Sequence, residues 1–499
     1  MAYIGLDVGT TGVKATVMTA DGESITSAHR EYDLRFPKHG WVEMRPADVW
    51  EGAKDVISRV VRASNEKIEA IATASFGEAA VLLDEKGQSV RDSIFYTDVR
   101  GTDELDDLRA TVNPDMLELR TGMPINYMYT LPKLMWLKKH QPEVLTKTKK
   151  MLLYGSFVEY MLTGIAATDA SLASRTLMFD RQKLDWDAEV CEKFGIPRGI
   201  LPDYVPAGDV IGNISRAIAE ELGLSPDAKV VSGVHDQIAT ALGCGALACG
   251  DVADGIGGAE CLIAPLPADP NYAEMFRGNI CAEPHAVKGT YVALAFTNTA
   301  GAALKWYRDT FETELKARCE VSGENAYAIL NSHMRNEPSP ILFLPYLAGT
   351  GTPYMDGNAT AMFAGMSLAT TRTDIYRAIY EGMNFELKVN FELLKRTGFT
   401  INALTSGGGG ASEEALHIKA DILETPIWMP KNRQSGTVGM AMLCGVAMGR
   451  FADFSEAADA LVKREKLIEP CAKHRNRYRE KFGQYLKMYE ASRLIYGRK

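Results

Sequence analysis

The chain has 499 residues, 46% hydrophobic and 24% charged, with 55 Lys and Arg against 64 Asp and Glu for a formal net charge of −9. That length exceeds what one core fills and predicts two or more domains, and the composition excludes disorder, collagen-like repeats and low-complexity stalks. The acidic balance excludes a global electrostatic footprint for nucleic acid or an anionic membrane, so neither is expected as a partner.

The opening residues Tyr3-Ile4-Gly5-Leu6-Asp7-Val8 read as a strand. It turns at Gly9-Thr10-Thr11-Gly12 into a second strand from Val13 to Met18, and a third follows the turn Ala20-Asp21-Gly22-Glu23. With Asp7 so early and no basic or apolar lead before it, no signal peptide is expected. Small residues in the first turn let backbone N–H groups and the hydroxyls of Thr10 and Thr11 approach phosphate oxygens. Lys14 adds charge, and Asp7 at the strand end is able to hold Mg²⁺ through water. A plain hairpin turn explains the same residues equally well.

From Pro46 to Ala63 the apolar residues Val49, Trp50, Ala53, Val56, Ile57 and Val60 fall at helical spacing, and Ile68 to Ala74 is a short apolar strand. Helices and strands then alternate as far as Lys229-Val230-Val231-Ser232-Gly233-Val234, an α/β pattern. Asp236 stands where that strand gives way to a helix. It is either an N-cap or a carboxylate able to accept a hydroxyl proton. His235 beside it is read as structural.

Near residue 250 the chain starts again. Gly250 to Glu260 followed by Cys261-Leu262-Ile263-Ala264 echoes the opening strand, glycine turn and strand. Two like α/β domains are expected, 1–246 and 247–499, with the boundary among Gly243, Gly245 and Gly250. The eight cysteines include no C-x-x-C pair and no zinc spacing, so buried free thiols are expected. No uncharged apolar run reaches the ~18 residues of a membrane span. The four glycines Gly407-Gly408-Gly409-Gly410 run through Ser412 into an amphipathic helix, a bare surface at a helix N-terminus suited to a flat or anionic ligand. The phosphate-loop pattern G-x-x-x-x-G-K-[ST] and the dinucleotide pattern G-x-G-x-x-G are both absent.

Several longer stretches resemble the FGGY carbohydrate kinases of the actin/hexokinase/Hsp70 ATPase superfamily. Met128-Tyr129-Thr130-Leu131-Pro132-Lys133-Leu134-Met135-Trp136-Leu137-Lys138-Lys139-His140 is similar to the first family signature. Ala361 to Met366 with Asp374 to Glu381 is similar to the second, and Phe343 to Gly349 with Thr352-Pro353-Tyr354 is typical of the family. The resemblance implies two actin-like (ribonuclease H-like) domains facing each other across a nucleotide and sugar cleft. The N-terminal domain would carry the sugar site, the first phosphate loop and the catalytic base, and the C-terminal domain the nucleotide.

The implied reaction is transfer of the γ-phosphate of ATP, with Mg²⁺, to a primary hydroxyl of a small ketose or polyol, a pentulose such as xylulose or ribulose foremost. Asp236 matches the base, and Gly9, Thr10, Thr11 and Lys14 the first phosphate loop. Gly257 and Gly258 match the second loop, with Gly258 where the family usually carries threonine. Gly301 matches a segment beside the nucleotide, and Gly408, Gly409 and Ser412 the adenosine stretch. Glu78, Asp98, Arg100, Asp236 and Gln237 match sugar-binding positions, and Asp7 and Asp236 metal positions. The sugar side is mixed. Glu78 and Gln237 resemble glycerol kinases, although those carry Arg where this chain has Gly77, while Asp98 and Arg100 resemble pentulose kinases. A glycerol- or erythritol-type polyol kinase is the alternative. From other classes, the rivals are a non-metabolic actin-like ATPase and a sugar sensor with weak catalysis. A cytoplasmic enzyme with a small-molecule sugar substrate is expected, and a homodimer is compatible with the family.

Overall fold

The computed structural model describes residues 2–496. The chain forms two compact units. The first comprises Met1–Leu247, Cys281–Val292 and Ser435–Val462, and the second Ala248–Ile280, Ala293–Gln434 and Lys463–Lys499. Two later stretches thus return to the first unit, and no shift in composition marks either of them.

In the first unit, β1 (Ala2–Val8), β2 (Gly12–Thr19) and β3 (Ser24–Glu31) form the antiparallel meander expected from the turn residues. The strands β4 (Ile68–Ser75), β5 (Val210–Asn213) and β6 (Lys229–His235) complete a sheet of order β5-β6-β4-β1-β2-β3. β4 lies parallel to both β1 and β6. Parallel strands covered on both faces are buried along their length, as β4 is at every residue except the half-buried Glu69. Helix α1 (Pro46–Ala63) opens on proline, whose missing N–H costs nothing in the first turn. It buries Val49, Trp50, Ala53, Val56, Ile57 and Val60 in one core with Leu6, Val13 and Val17.

The end of the sheet that matters chemically is fixed by register. Val8 of β1 pairs with Ser75 of β4, and Ser75 pairs with His235 of β6. The chain therefore leaves three adjacent strands at one level, into the Gly9–Thr11 turn, into Phe76-Gly77-Glu78, and into α2 (Asp236–Gly243). Ligands commonly bind at the carboxyl ends of such parallel strands. Behind α2 lies the returning helix Ser435–Ala447. A Cβ on Gly439 would lie 2.0 Å from the Ala239 carbonyl oxygen, and one on Gly243 1.8 Å from that of Ser435. Only glycines allow this approach, and it seats α2 firmly.

The second unit repeats the plan. β7 (Asp251–Ile256) and β8 (Glu260–Pro265) form an antiparallel hairpin. With β9 (Tyr291–Thr297), β10 (Ala403–Gly407), β11 (Ile427–Pro430) and β12 (Arg464–Ile468), six of the seven strands of this sheet follow the order β9-β8-β7-β10-β11-β12. β10 runs parallel to β7 and β11. An antiparallel hairpin whose first strand continues into two parallel strands thus occurs twice, as in the actin-like ATPase fold. Helix α3 (Gly301–Phe311) follows β9. The long α4 (Arg372–Arg396) starts on a capping box between Thr371 and Asp374, and α5 (Glu413–Leu423) follows the glycine run. Six of the eight cysteines are buried, and Cys249 and Cys471 are exposed.

Candidate active site

In the first unit the turn after β1 is closed on itself. Gly9 N donates to Gly12 O (3.0 Å), and the Tyr32 hydroxyl donates to Gly9 O (2.5 Å) and Gly12 O (3.2 Å). Thr11 at its crest is exposed and Thr10 half-buried. Asp7 pairs in register with Lys14 across the hairpin. The Asp7 side chain keeps exposed surface, yet the protein around it withdraws solvation and Asp236 adds negative charge. Its carboxyl is pushed up to about 7, against the pull of Lys14.

Asp236 is the first residue of α2, and the N-cap position falls on His235, which makes no side-chain cap. Asp236 is half-buried, and both groups bonded to its carboxylate use Oδ1: Gln237 Nε2 at 3.0 Å and His235 Nε2 at 3.2 Å. No bond occupies Oδ2 among the described residues. His235 is buried, and its Nδ1 lies 2.8 Å from Glu283 Oε1. Burial works against a charged ring, but Glu283 and Asp236 on either side outweigh it and raise the imidazole above its ordinary value, with Arg175 opposing.

Glu78 has a positive φ of 67°, a left-handed conformation uncommon outside glycine. The Thr130 hydroxyl pins it by donating to Glu78 O (2.5 Å). Strained backbone held by neighbours is typical of ligand sites. The Glu78 carboxylate is buried, and its Oε1 accepts from Arg175 Nε and Nη2. Arg175 reaches on through Nη1 to Glu283 Oε2 (2.7 Å). A continuous line therefore runs Glu78, Arg175, Glu283, His235, Asp236. Tyr129 offers its ring face 5.6 Å from the Arg175 guanidinium.

Asp98 and Arg100 spend their polar groups internally. Asp98 Oδ1 accepts from Arg100 N (2.8 Å) and Nε (2.9 Å), and Oδ2 from Arg100 Nη2 (2.6 Å) and Val42 N (2.5 Å). Arg100 Nη1 donates to Glu43 (2.8 Å), and its guanidinium lies 3.9 Å from the Trp41 ring centroid. Both residues are buried. They brace the loop after Tyr96, which Lys133 Nζ ties down through the carbonyls of Asp98 (2.5 Å) and Arg100 (2.6 Å).

In the second unit the Gly257–Ala259 turn caps α3. Ala300 N (2.7 Å) and Ala302 N (3.1 Å) donate to Gly258 O, and Gly301 N to Gly257 O (3.0 Å). From α5, Lys419 grips both strands of that hairpin, bonding Asp254 Oδ2 (2.5 Å) and Glu260. Gly408 has φ 105°, and a Cβ there would lie 2.1 Å from Ile256 O, so glycine is required. Ser412 is the N-cap of α5, its hydroxyl accepting from Ala415 N (3.3 Å) and Asn331 Nδ2 (3.2 Å), while Gly409 is open.

The model of the FGGY family of carbohydrate kinases, N-terminal domain, matches residues 2–243, and that of its C-terminal domain matches 257–448. The chain belongs to the FGGY family of carbohydrate kinases. It is 28% identical over 490 residues to a xylulose kinase of Bacillus subtilis (strain 168), covering 97% of this chain and 96% of that one. Its structure is similar to that of a ligand-bound xylulose kinase from Lactobacillus acidophilus, with TM-score 0.87, 26% identity and 99% of each chain covered. It is also similar to that of a gluconate kinase from Lactobacillus acidophilus, with TM-score 0.86, 26% identity and 98% of each chain covered.

As a family member the chain is a carbohydrate kinase, a phosphotransferase that uses ATP and takes a small sugar as acceptor. Among the described residues no helix is long and apolar enough to cross a membrane. The register of the first sheet brings Gly9, Thr10, Thr11, Glu78, Asp236 and Gln237 to one edge. Gly257, Gly258, Gly301, Gly408, Gly409 and Ser412 belong to the second unit. Sequence reasoning passed over Arg175 and Glu283, which occupy no motif, and read His235 as structural.

Proposed function

We propose that this kinase phosphorylates a primary hydroxyl of a small open-chain ketose or polyol, with a pentulose such as xylulose or ribulose the first candidate. The observation that carries the reading is the pair of carboxylates at the first sheet's edge, each anchored through one oxygen. Asp236 Oδ1 is held by Gln237 and His235, and Glu78 Oε1 by Arg175. In this reading Asp236 Oδ2 receives the proton of the attacking hydroxyl, and Glu78 Oε2 accepts hydrogens from neighbouring hydroxyls. A carboxylate is a weak base at neutral pH, so the proton moves late, once the attacking oxygen has grown acidic. Full-length similarity to xylulose kinases supports a pentulose. A sugar acid fits less well, because Arg175 is already shared between two glutamates. Asp98 and Arg100 serve the pocket through the loop they brace.

The backbone N–H groups of Gly9, Thr10 and Thr11, with Lys14, would contact the transferred phosphate, and Gly257, Gly258, Gly301, Gly408, Gly409 and Ser412 the nucleotide. The first domain thus serves the sugar and the second the nucleotide. The donor set fits Mg²⁺. Asp7 and Asp236 are hard oxygen donors that repel each other, and this ion is often held by one or two carboxylates together with substrate phosphates. Bound there, it would neutralise charge on the phosphates during transfer. Such an enzyme works in the cytoplasm, where ATP is regenerated.

The test is coupled ADP release over ketopentoses, ketohexoses, heptuloses, glycerol, erythritol and gluconate. A ketopentose should give the highest kcat/KM. Turnover of glycerol or erythritol alone would favour the polyol reading that Glu78 and Gln237 suggest. Turnover of aldoses or gluconate alone would refute both.

A further inference from the structure

The line from Glu78 to Asp236 contains three residues without an assigned role. Their setting is built rather than incidental. Arg175 closes a short helix, Ala170–Ser174, whose N-cap Asp169 accepts from Ser171 N (2.7 Å) and Leu172 N (3.0 Å). The Ser171 hydroxyl accepts from His235 N (2.9 Å), so the same helix fixes the backbone of His235. Glu283 arrives from Cys281–Pro284, one of the stretches that return to the first unit. Its neighbour Ala282 is tied on both sides, by N to Gly122 O (2.6 Å) and by O from Arg181 Nη1 (3.3 Å). Glu283 is fully buried and Arg175 nearly so. A buried carboxylate is tolerated only when paired, and here each oxygen has its own partner: Oε1 faces His235 and Oε2 faces Arg175.

The charges alternate along the line: carboxylate, guanidinium, carboxylate, imidazole, carboxylate. A planar guanidinium spans two carboxylates in a fixed geometry, which an ammonium does not. Both anchored oxygens, Glu78 Oε1 and Asp236 Oδ1, sit at the two ends. We infer that Arg175, Glu283 and His235 are positioning residues that hold the sugar-binding carboxylate of Glu78 and the base Asp236 as one rigid unit. Glu283 is the central link and touches neither end. The inference rests on the reading of Asp236 as the base. Its role is to present Asp236 Oδ2 to the acceptor hydroxyl, and small errors in such placement cost about 10²-fold in rate.

The experiment is a double-mutant cycle on the full-length enzyme, with Glu283→Gln, Asp236→Asn and the double variant. Glu283→Gln should lower kcat by about 10-fold to 100-fold with the KM for ATP unchanged. In the Asp236→Asn background it should cause no further loss, because it acts through that carboxylate. A merely structural role would give equal losses in both backgrounds, and that result overturns the inference. His235→Asn, run through the same cycle, replaces Glu283→Gln if that variant does not fold. A readout independent of turnover is the low-field Nδ1–H resonance of His235 in ¹⁵N-histidine-labelled enzyme, assigned by its loss in His235→Asn. It should move to higher field in Glu283→Gln, whose neutral amide oxygen is the weaker acceptor, and stay in place in Asp236→Asn; an unmoved resonance in Glu283→Gln would also overturn the inference. If Asp236→Asn turns over normally, the base reading fails, and the resonance alone decides whether the line exists.

Discussion

Arg175 occupies the space that a side chain at residue 77 would need: a Cβ built on Gly77 would lie 2.4 Å from Arg175 Cδ and 2.8 Å from its Nε. Glycerol-kinase-like sequences carry their arginine at position 77, directly before the glutamate. Here the guanidinium beside Glu78 comes from 97 residues further along the chain, and glycine makes room for it. Gly77→Ala should therefore displace Arg175 and lower kcat/KM for the sugar by about tenfold or more, with the KM for ATP unchanged. Steady-state kinetics on both substrates, with a thermal melt as control, read this. An alanine enzyme with normal sugar kinetics would mean that Arg175 does not set the pocket.

Asp7 near the end of β1 and Asp236 at the start of α2 repel each other as carboxylates. Asp7→Ala should raise the Mg²⁺ concentration needed for half-maximal rate and lower kcat, while the sugar KM changes less. Asp236→Asn should reduce kcat by about 10²–10⁴-fold and leave the fold intact. Rates across a Mg²⁺ titration separate the two. An Asp7→Ala enzyme with an unchanged titration would remove Asp7 from the metal site.

Most of the architecture was legible because it is local. The hairpin after β1, the helix Pro46–Ala63 and the strand before Asp236 are each announced by turn residues or by period. The weak echo near residue 250 marks a true repeat of topology, since β7 and β8 pair as β1 and β2 do. What sequence did not show is long-range. Glu283 lies 108 residues from Arg175 and 48 from His235, and a lone glutamate in an apolar stretch carries no motif. Asp98 and Arg100 were legible as a pair of interest, but their mutual bonds depend on a turn that spacing alone does not specify.

Glu386 on α4 gives a stability prediction. Its Oε2 accepts from Tyr346 (2.9 Å) and Tyr485 (2.6 Å), while Oε1 is buried without a partner among the described residues. Burial raises its carboxyl to about 7, against the lowering effect of the two hydroxyls. The folded state therefore binds a proton that the unfolded chain releases at an ordinary carboxylate pKa. Its contribution is fully present below about pH 4 and is lost as pH rises through about 7. The loss is at most about 3 kcal/mol. Glu386→Gln keeps the shape and removes the titration, so its Tm relative to wild type should climb from pH 5 to pH 8. A constant difference across that range would show that Glu386 is ionised throughout.

In the proposed reading Gly257 and Gly258 form the second phosphate loop, where the family usually carries threonine, and packing does not demand glycine at residue 258. A Cβ built there meets nothing within 4 Å, and the backbone is not left-handed. The Gly258 carbonyl accepts from Ala300 N and Ala302 N, and a side chain would leave those bonds alone. Gly258→Thr should fold like the wild type and restore a hydroxyl at the phosphate. One hydrogen bond to a charged group contributes about 1.5–3 kcal/mol. Set against the entropy of ordering the new side chain, that lowers the KM for ATP by roughly fivefold to tenfold. The sugar KM should not move, because Gly258 belongs to the second unit. ATP titrations at saturating sugar decide it. An unchanged or raised KM for ATP would place this turn away from the phosphates, and the assignment of Gly257 and Gly258 to the nucleotide would fall with it.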